Sequence, residues 1–340
     1  MAFSATESYE SVETQTSRQR TGSDVSRWGI VLAGGDGVRL RSLTRVISGD
    51  DRPKQFCRVI GRHTLLQQTQ LRAARSIPAR RTVYAVTAAH EAYFRHDLDS
   101  EPSLKLIQQC NRGTAPPIIL SLFHIINQDP NALVAVLPCD HYYSNESAFT
   151  SALESAFDVA SRHLSSIVLL GARPNGPDVE FGWIQLGAAI GKSLFRVNGF
   201  DEKPELGVAT KLFRYGALWN TFVMVGSATA FIDLAFSCLP GFVAELADEQ
   251  LVRIEDNNLV VSASLYEKIP TVDFSRSVLS RNKENLLVMP LNGLEWHDLG
   301  HADRVVSVVR SRGEVLPSWL QKWETICHTA PGPLPAQLAG

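Results

Sequence analysis

A continuous apolar run that ends in a triple-glycine loop constrains this chain more than any other feature. Trp28-Gly29-Ile30-Val31-Leu32-Ala33 is closed by Gly34, Gly35 and Gly37. A run with no polar face reads as a strand buried on both sides. Glycines at its C-terminal end permit a tight turn and let backbone N–H groups approach a polyphosphate closely. Residues 82–87, 132–137 and 166–170 are further strand-like runs, and 64–76, 118–126 and 146–163 have helical character. Strands alternating with helices predict an α/β, Rossmann-like, mostly parallel sheet with helices on both faces. The second half is more mixed. Residues 181–186 and 194–200 read as strands of a separate small sheet layer, 204–216 as a helix, 222–225 as a strand and 231–259 as largely helical.

Composition narrows the class. The 340 residues carry 33 Lys and Arg against 35 Asp and Glu, which argues against a protein that coats nucleic acid. Cys57, Cys110, Cys139, Cys238 and Cys327 are odd in number and contain no Cys-x-x-Cys pair, so neither a disulfide framework nor a zinc signature is present. A reducing, cytoplasmic setting is expected. No window holds the roughly 18 apolar residues that span a bilayer. Residues 1–27 lack the apolar core of a signal peptide and read as a tail, 28–325 as one domain, and 326–340 as a loose Pro- and Ala-rich end. No repeat is visible, and no hexapeptide period follows Gly300.

Several residues carry candidate chemistry. Arg39 and Lys54 follow the glycine loop and suit phosphate charge. The spacing is neither a Walker loop nor a dinucleotide fingerprint, since Leu40 stands at the third glycine position. Asp140 lies just past the strand 132–137, and Asp298 sits in Trp296-His297-Asp298-Leu299-Gly300. Each alone fits a turn or cap equally well. Glu202-Lys203-Pro204 reads as a helix start, where Lys203 opposes the helix dipole and would make sense beside an anion. The Asn220 amide suits either a sugar hydroxyl or a buried structural role. Thr114 reads as an N-cap.

These pieces in this order resemble the sugar nucleotidyltransferases, and among them the mannose-1-phosphate guanylyltransferases. The resemblance rests on residues 32–40, Arg52-Pro53-Lys54-Gln55-Phe56, Asn111-Arg112-Gly113-Thr114-Ala115-Pro116, Leu137-Pro138-Cys139-Asp140-His141, Phe181-Gly182-Trp183-Ile184, Phe200-Asp201-Glu202-Lys203-Pro204, Leu218-Trp219-Asn220, Val272-Asp273-Phe274-Ser275 and residues 296–300. It implies Mg2+ on Asp140 and Asp298. Leu32, Ala33, Gly34, Gly35, Gly37, Arg112, Thr114 and Cys139 would meet the nucleotide. Arg39 and Lys54 would meet its departing phosphates, and Lys203 the sugar phosphate. Gly182, Glu202 and Asn220 would meet the sugar. The implied partners are GTP and mannose 1-phosphate, with no nucleic acid and no membrane, and a homodimer is left open. Members with an added isomerase domain are longer, and none is expected in this chain. Two alternatives stand: the same fold acting on glucose 1-phosphate with dTTP or UTP, and a non-catalytic sugar-nucleotide sensor. Val38, Gly113 and Asp201 depart from the family pattern, and His141 is expected to be structural.

Overall fold

The computed structural model describes residues 26–99, 102–247, 252–256, 258–313 and 315–329. Its strands are β1 (Arg27–Leu32), β2 (Thr82–Thr87), β3 (Leu104–Gln108), β4 (Leu133–Pro138), β5 (Tyr142–Tyr143), β6 (Ile167–Ala172), β7 (Gly182–Gly191), β8 (Leu194–Glu202), β9 (Leu218–Ser227), β10 (Val252–Glu255), β11 (Asn258–Val261), β12 (Leu286–Pro290) and β13 (Trp296–His297). Among the described residues, eleven strands form one sheet in the order β10-β11-β3-β2-β1-β4-β9-β6-β12-β8-β7, and β13 pairs with β5 apart from it.

The glycine-loop strand occupies the middle of the parallel half. Val31 lies opposite Tyr84 on one side and Leu137 on the other, both in parallel register. Every residue of β2, β4 and β6 is buried, as continuous apolar runs require. The pleat divides β1 between two cores. Ile30 packs with Ile118, Ile119 and Leu122 of helix Ala115–Gln128 and Phe231 of helix Ala228–Cys238. Val31 packs with Leu66 of helix Leu65–Ala73 and Phe149 and Phe157 of helix Glu146–Arg162. Local chemistry starts these helices. Thr64 and Gln67 form a reciprocal capping box, Asn145 accepts from the Ala148 N–H, and Pro116 and Pro117 fill the first turn after Thr114.

Three sequence expectations change. The second-half strands are not a separate layer: β7 pairs with β9 and β8 with β12, so the hairpin continues the main sheet. Residues 231–259 are helical only through Pro240–Leu246, after which β10 and β11 form a hairpin whose β11 runs parallel to β3. Buried Leu259 and Val261 alternate with half-buried Asn258 and Val260, a period of two rather than 3.6. The expected domain end at 325 falls inside helix Ser318–Thr329. Its Trp319, Leu320 and Trp323 pack on Leu40 and Leu43 beside the glycine loop. Residues 1–25 and 330–340, most of the two expected tails, lie outside the described residues. No described helix is long and apolar enough to cross a membrane.

The topology makes one ligand edge. β1, β3 and β4 end there, and ligands of α/β sheets bind at such carboxyl ends. Antiparallel β9 and β7 begin there and β8 returns there, since Gly182 lies opposite Glu202 and Ala172 opposite Trp219.

Candidate active site

A cavity of about 540 Å³ opens at this edge. On its wall are Leu32, Gly34, Gly35, Arg39, Lys54, Thr114, Asp140, Gly182, Glu202, Lys203, Asn220 and Asp298, drawn from the full length of the sheet. Four expected residues are absent from that wall. Ala33 faces the core, with its N–H bonded to the Ala85 carbonyl. Gly37 turns at φ 59° against Pro53 and Lys54. Cys139 is buried in the core, its amide on Leu32 and its carbonyl accepting from Thr69, so it braces the loop from behind. Arg112 turns away and donates from Nε to the Tyr266 carbonyl at 2.9 Å.

The glycine loop is held by side chains from two segments. Gln55 Nε2 donates to the carbonyls of Ala33 and Gly35, and Thr87 Oγ1 to that of Gly34. A Cβ on Gly34 would stand 2.7 Å from Gln108 Nε2, so glycine leaves room for that side chain. Tyr266 donates its hydroxyl to Gln108 Oε1 at 3.0 Å. That bond holds the Gln108 carboxamide by its oxygen, and Gln108 lines the cavity. Next along the wall, Gly113 has φ 82°, and a Cβ there would lie 2.3 Å from the Val272 carbonyl oxygen. The departure from the family pattern at 113 therefore meets a backbone need. Thr114 stands at the N-cap position of its helix, but its side chain makes no cap hydrogen bond there. Its hydroxyl accepts from the Phe274 N–H at 2.8 Å and bonds the Asp273 carboxylate at 3.2 Å, tying the helix start to residues 272–275.

At the centre, Lys54 Nζ contacts Asp140 Oδ2 at 3.1 Å and donates to the carbonyls of Asp298 and Leu299 at 2.9 and 3.0 Å. Asp298 Oδ1 accepts from Arg304 Nη1 at 2.8 Å and from the Gly300 N–H at 3.1 Å. Burial pushes both carboxyls up. Lys54 and His141 at Asp140, and Arg304 and His141 at Asp298, outweigh it, so both rest below the ordinary carboxylate value. His141 accepts from the Trp296 indole at 3.2 Å, and burial lowers its pKa from the ordinary imidazole value. Among the described residues no three His, Cys, Asp or Glu side chains converge to hold an ion by themselves. Two cavity-facing carboxylates still fit Mg2+, a hard cation that keeps several waters and takes phosphate oxygens as its other ligands.

The mouth holds charges that sequence reading missed. Arg39 Nη1 lies 3.3 Å from Glu180 and 3.1 Å from His301 Nε2, and His301 lies 2.7 Å from the Glu180 carboxylate. Arg304 Nη2 reaches Asp178 at 2.5 Å and Glu180 at 2.9 Å, with its guanidinium 4.5 Å from the Phe181 ring centre. The signals were a carboxylate just before Phe181-Gly182 and a cation in the first turn after the Asp298 turn.

At the far end, Lys203 does not start a helix. It leaves β8 at φ 52°, its N–H on the Phe181 carbonyl, and the helix Leu206–Arg214 begins later, after Glu205. Its exposed side chain reaches the cavity free of any dipole conflict. A Cβ on Gly182 would stand 2.7 Å from Glu202 Oε2, so glycine makes room for that carboxyl. Burial first, then Asp273, pushes Glu202 up to about 7. Asn220 serves the protein on two sides, accepting from the Phe222 N–H and donating to Ser275 Oγ, while still lining the cavity.

Comparisons with known proteins find relatives over most of the chain. A XanB xanthan biosynthesis protein of Xanthomonas campestris is 27% identical over 297 residues, covering 84% of this chain and 60% of the relative. The RfbM mannose-1-phosphate guanylyltransferase of Salmonella typhimurium is 26% identical over 302 residues, covering 87% and 58%. The chain thus spans about 60% of the length of these curated relatives. A Thermus thermophilus crystal structure, described as a mannose-1-phosphate geranyltransferase, superposes with a TM-score of 0.71 at 27% identity, covering 85% of this chain and 80% of the other. Residues 28–311 match the family described as Nucleotidyl transferase, and the chain belongs to that family.

Proposed function

We propose that this protein makes GDP-mannose and pyrophosphate from GTP and α-D-mannose 1-phosphate. One observation carries the reading: a single cavity joins a glycine loop with Arg39, two carboxylates, and the Gly182, Glu202, Lys203 and Asn220 group. A phosphate oxygen of the sugar phosphate forms a bond to the α-phosphorus of GTP, and the bond to the bridging oxygen of pyrophosphate breaks. The attacking oxygen is already an anion, so no protein base is required. Catalysis then rests on positioning and charge neutralisation. Lys203 holds the attacking phosphate, and Glu202, Asn220 and the open backbone at Gly182 receive sugar hydroxyls. Arg39 leaves Glu180 to meet the departing phosphates. Asp140 and Asp298 would hold Mg2+, which supplies charge neutralisation between the reacting phosphates. The setting proposed is the cytoplasm.

Gln108 favours keeping a second reading, a sugar 1-phosphate paired with a pyrimidine nucleotide. Its amide N–H donates to a ring carbonyl, which guanine, uracil and thymine carry where adenine has an amino group. An unpaired buried polar group costs about 1–3 kcal/mol, so ATP should be the poorest donor. Pyrophosphate release over a matrix of nucleotides and sugar 1-phosphates, compared as kcat/KM, decides. GTP with mannose 1-phosphate should be the best pair. If dTTP or UTP with glucose 1-phosphate wins, the substrate assignment fails while the fold and the metal reading stand.

A further inference from the structure

The two carboxylates at the centre are each matched to one cation of the chain. Asp140 has Lys54 at 3.1 Å and Asp298 has Arg304 at 2.8 Å. Neither cation depends on that carboxylate alone. Lys54 also bonds two carbonyls, and Arg304 also bonds Asp178 and Glu180 through its other terminal nitrogen. The Arg304 fork is held by stacking on Phe181, and its side chain is only 22% exposed, so it is a formed contact rather than a surface encounter. Arg304 does not line this cavity but meets Asp298 from an adjoining pocket that both residues line with Asp178 and Phe181.

We infer that Lys54 and Arg304 stand in for a divalent cation in the ligand-free protein, so that the metal enters with the nucleotide and not before it. This rests on the metal reading of Asp140 and Asp298 proposed above. A divalent ion approaching the cavity without a nucleotide meets two neutralised carboxylates and the repulsion of two fixed cations. A nucleotide brings phosphate charge that draws Lys54 and supplies oxygen ligands together. Arg304 keeps Asp178 and Glu180 as partners when Asp298 turns to the ion, so releasing that carboxylate leaves no cation unpaired. Arg304 is thus a positioning residue that sets the order of assembly.

The test is Mn2+ alone, titrated into the ligand-free protein and followed by the resonance signal of free Mn2+. Wild type should bind weakly. Arg304→Gln should tighten Mn2+ roughly tenfold, the scale of one unit charge acting on a divalent ion near a wet protein surface. Arg304→Lys, which keeps the charge, should stay within about threefold of wild type by the same reasoning. The gain should vanish in Arg304→Gln/Asp298→Asn. The inference is overturned if Arg304→Gln binds no tighter, if Arg304→Lys tightens equally, or if the gain survives loss of Asp298. A parallel titration with GTP present isolates the underlying reading. If Asp298→Asn holds Mn2+ with GTP as well as wild type does, the metal reading itself falls, whatever Arg304 does.

Discussion

The two ends of the cavity are made by different means. The end proposed to take the nucleotide, the nucleotide end, hangs on parallel strands β1 and β3, and its special backbone is glycine: Gly37 and Gly113 take the positive φ angles. The end proposed to take the sugar phosphate, the sugar end, hangs on the antiparallel strands β7 to β9, and its special backbone is not glycine. Lys203 and Phe222 sit at φ 52° and 59°, and Leu299 beside Asp298 at 50°. Non-glycine residues held there cost of order 1–3 kcal/mol each. The nucleotide end therefore avoids strain by composition. The sugar end keeps the strain and aims side chains with it: Lys203 outward into the cavity, and Phe222 so that its N–H meets the Asn220 amide.

The acids where the two ends meet give the largest effect. Asp298→Asn should leave the fold intact and lower turnover by at least ~10²-fold, the loss expected when a charge clamp on the reacting phosphates goes. A folded variant of near-normal turnover would remove the centre from the comparison.

Gly113→Ala tests the glycine rule at the nucleotide end. The added methyl meets the Val272 carbonyl oxygen at 2.3 Å under a positive φ. Destabilisation of about 1–3 kcal/mol in urea unfolding is expected. An unchanged midpoint would show that this end tolerates strain as the other does.

Lys203→Gln tests the separation of the ends. It should weaken productive sugar 1-phosphate binding roughly tenfold, the worth of a hydrogen bond to a charged group. GTP affinity should hold. A selective loss of GTP affinity would mean that the ends are exchanged.

The smallest effect is on pH dependence. The folded-state value of Glu202, about 7, lies above the ordinary 4.5, so the fold favours the protonated carboxyl. Its contribution to stability is present below 4.5 and lost as pH rises through about 7. The melting temperature of Glu202→Gln should therefore gain on wild type between those values. A constant difference across that range would place Glu202 in a wetter site than the antiparallel end provides.

What was legible in the sequence follows from local physics. Short apolar runs closed directly by glycine or proline read as covered strands feeding loops, so β1, β4 and the cavity's position at their ends were readable from short windows. Asp140, Asp298, Lys203 and Asn220 were readable by family resemblance, and the fold brings them to one wall. Pairings across long sequence separations were not readable. Arg112 is expected at the nucleotide by family resemblance, whereas its Nε donates elsewhere in the fold. Its choice of the Tyr266 carbonyl depends on a helix 154 positions away. Cys139 follows a strand, but which face of the sheet it takes depends on what packs there. The β7–β8 hairpin looked like a separate layer because alternation reveals a strand and not its partner. Arg304 carried no motif at all. Its meaning comes from three carboxylates at 178, 180 and 298 that only the closed sheet brings within one guanidinium's reach. Periodicity and glycine content are written residue by residue. The balance of charge around two acids is a property of the assembled space, and tertiary structure alone decided it.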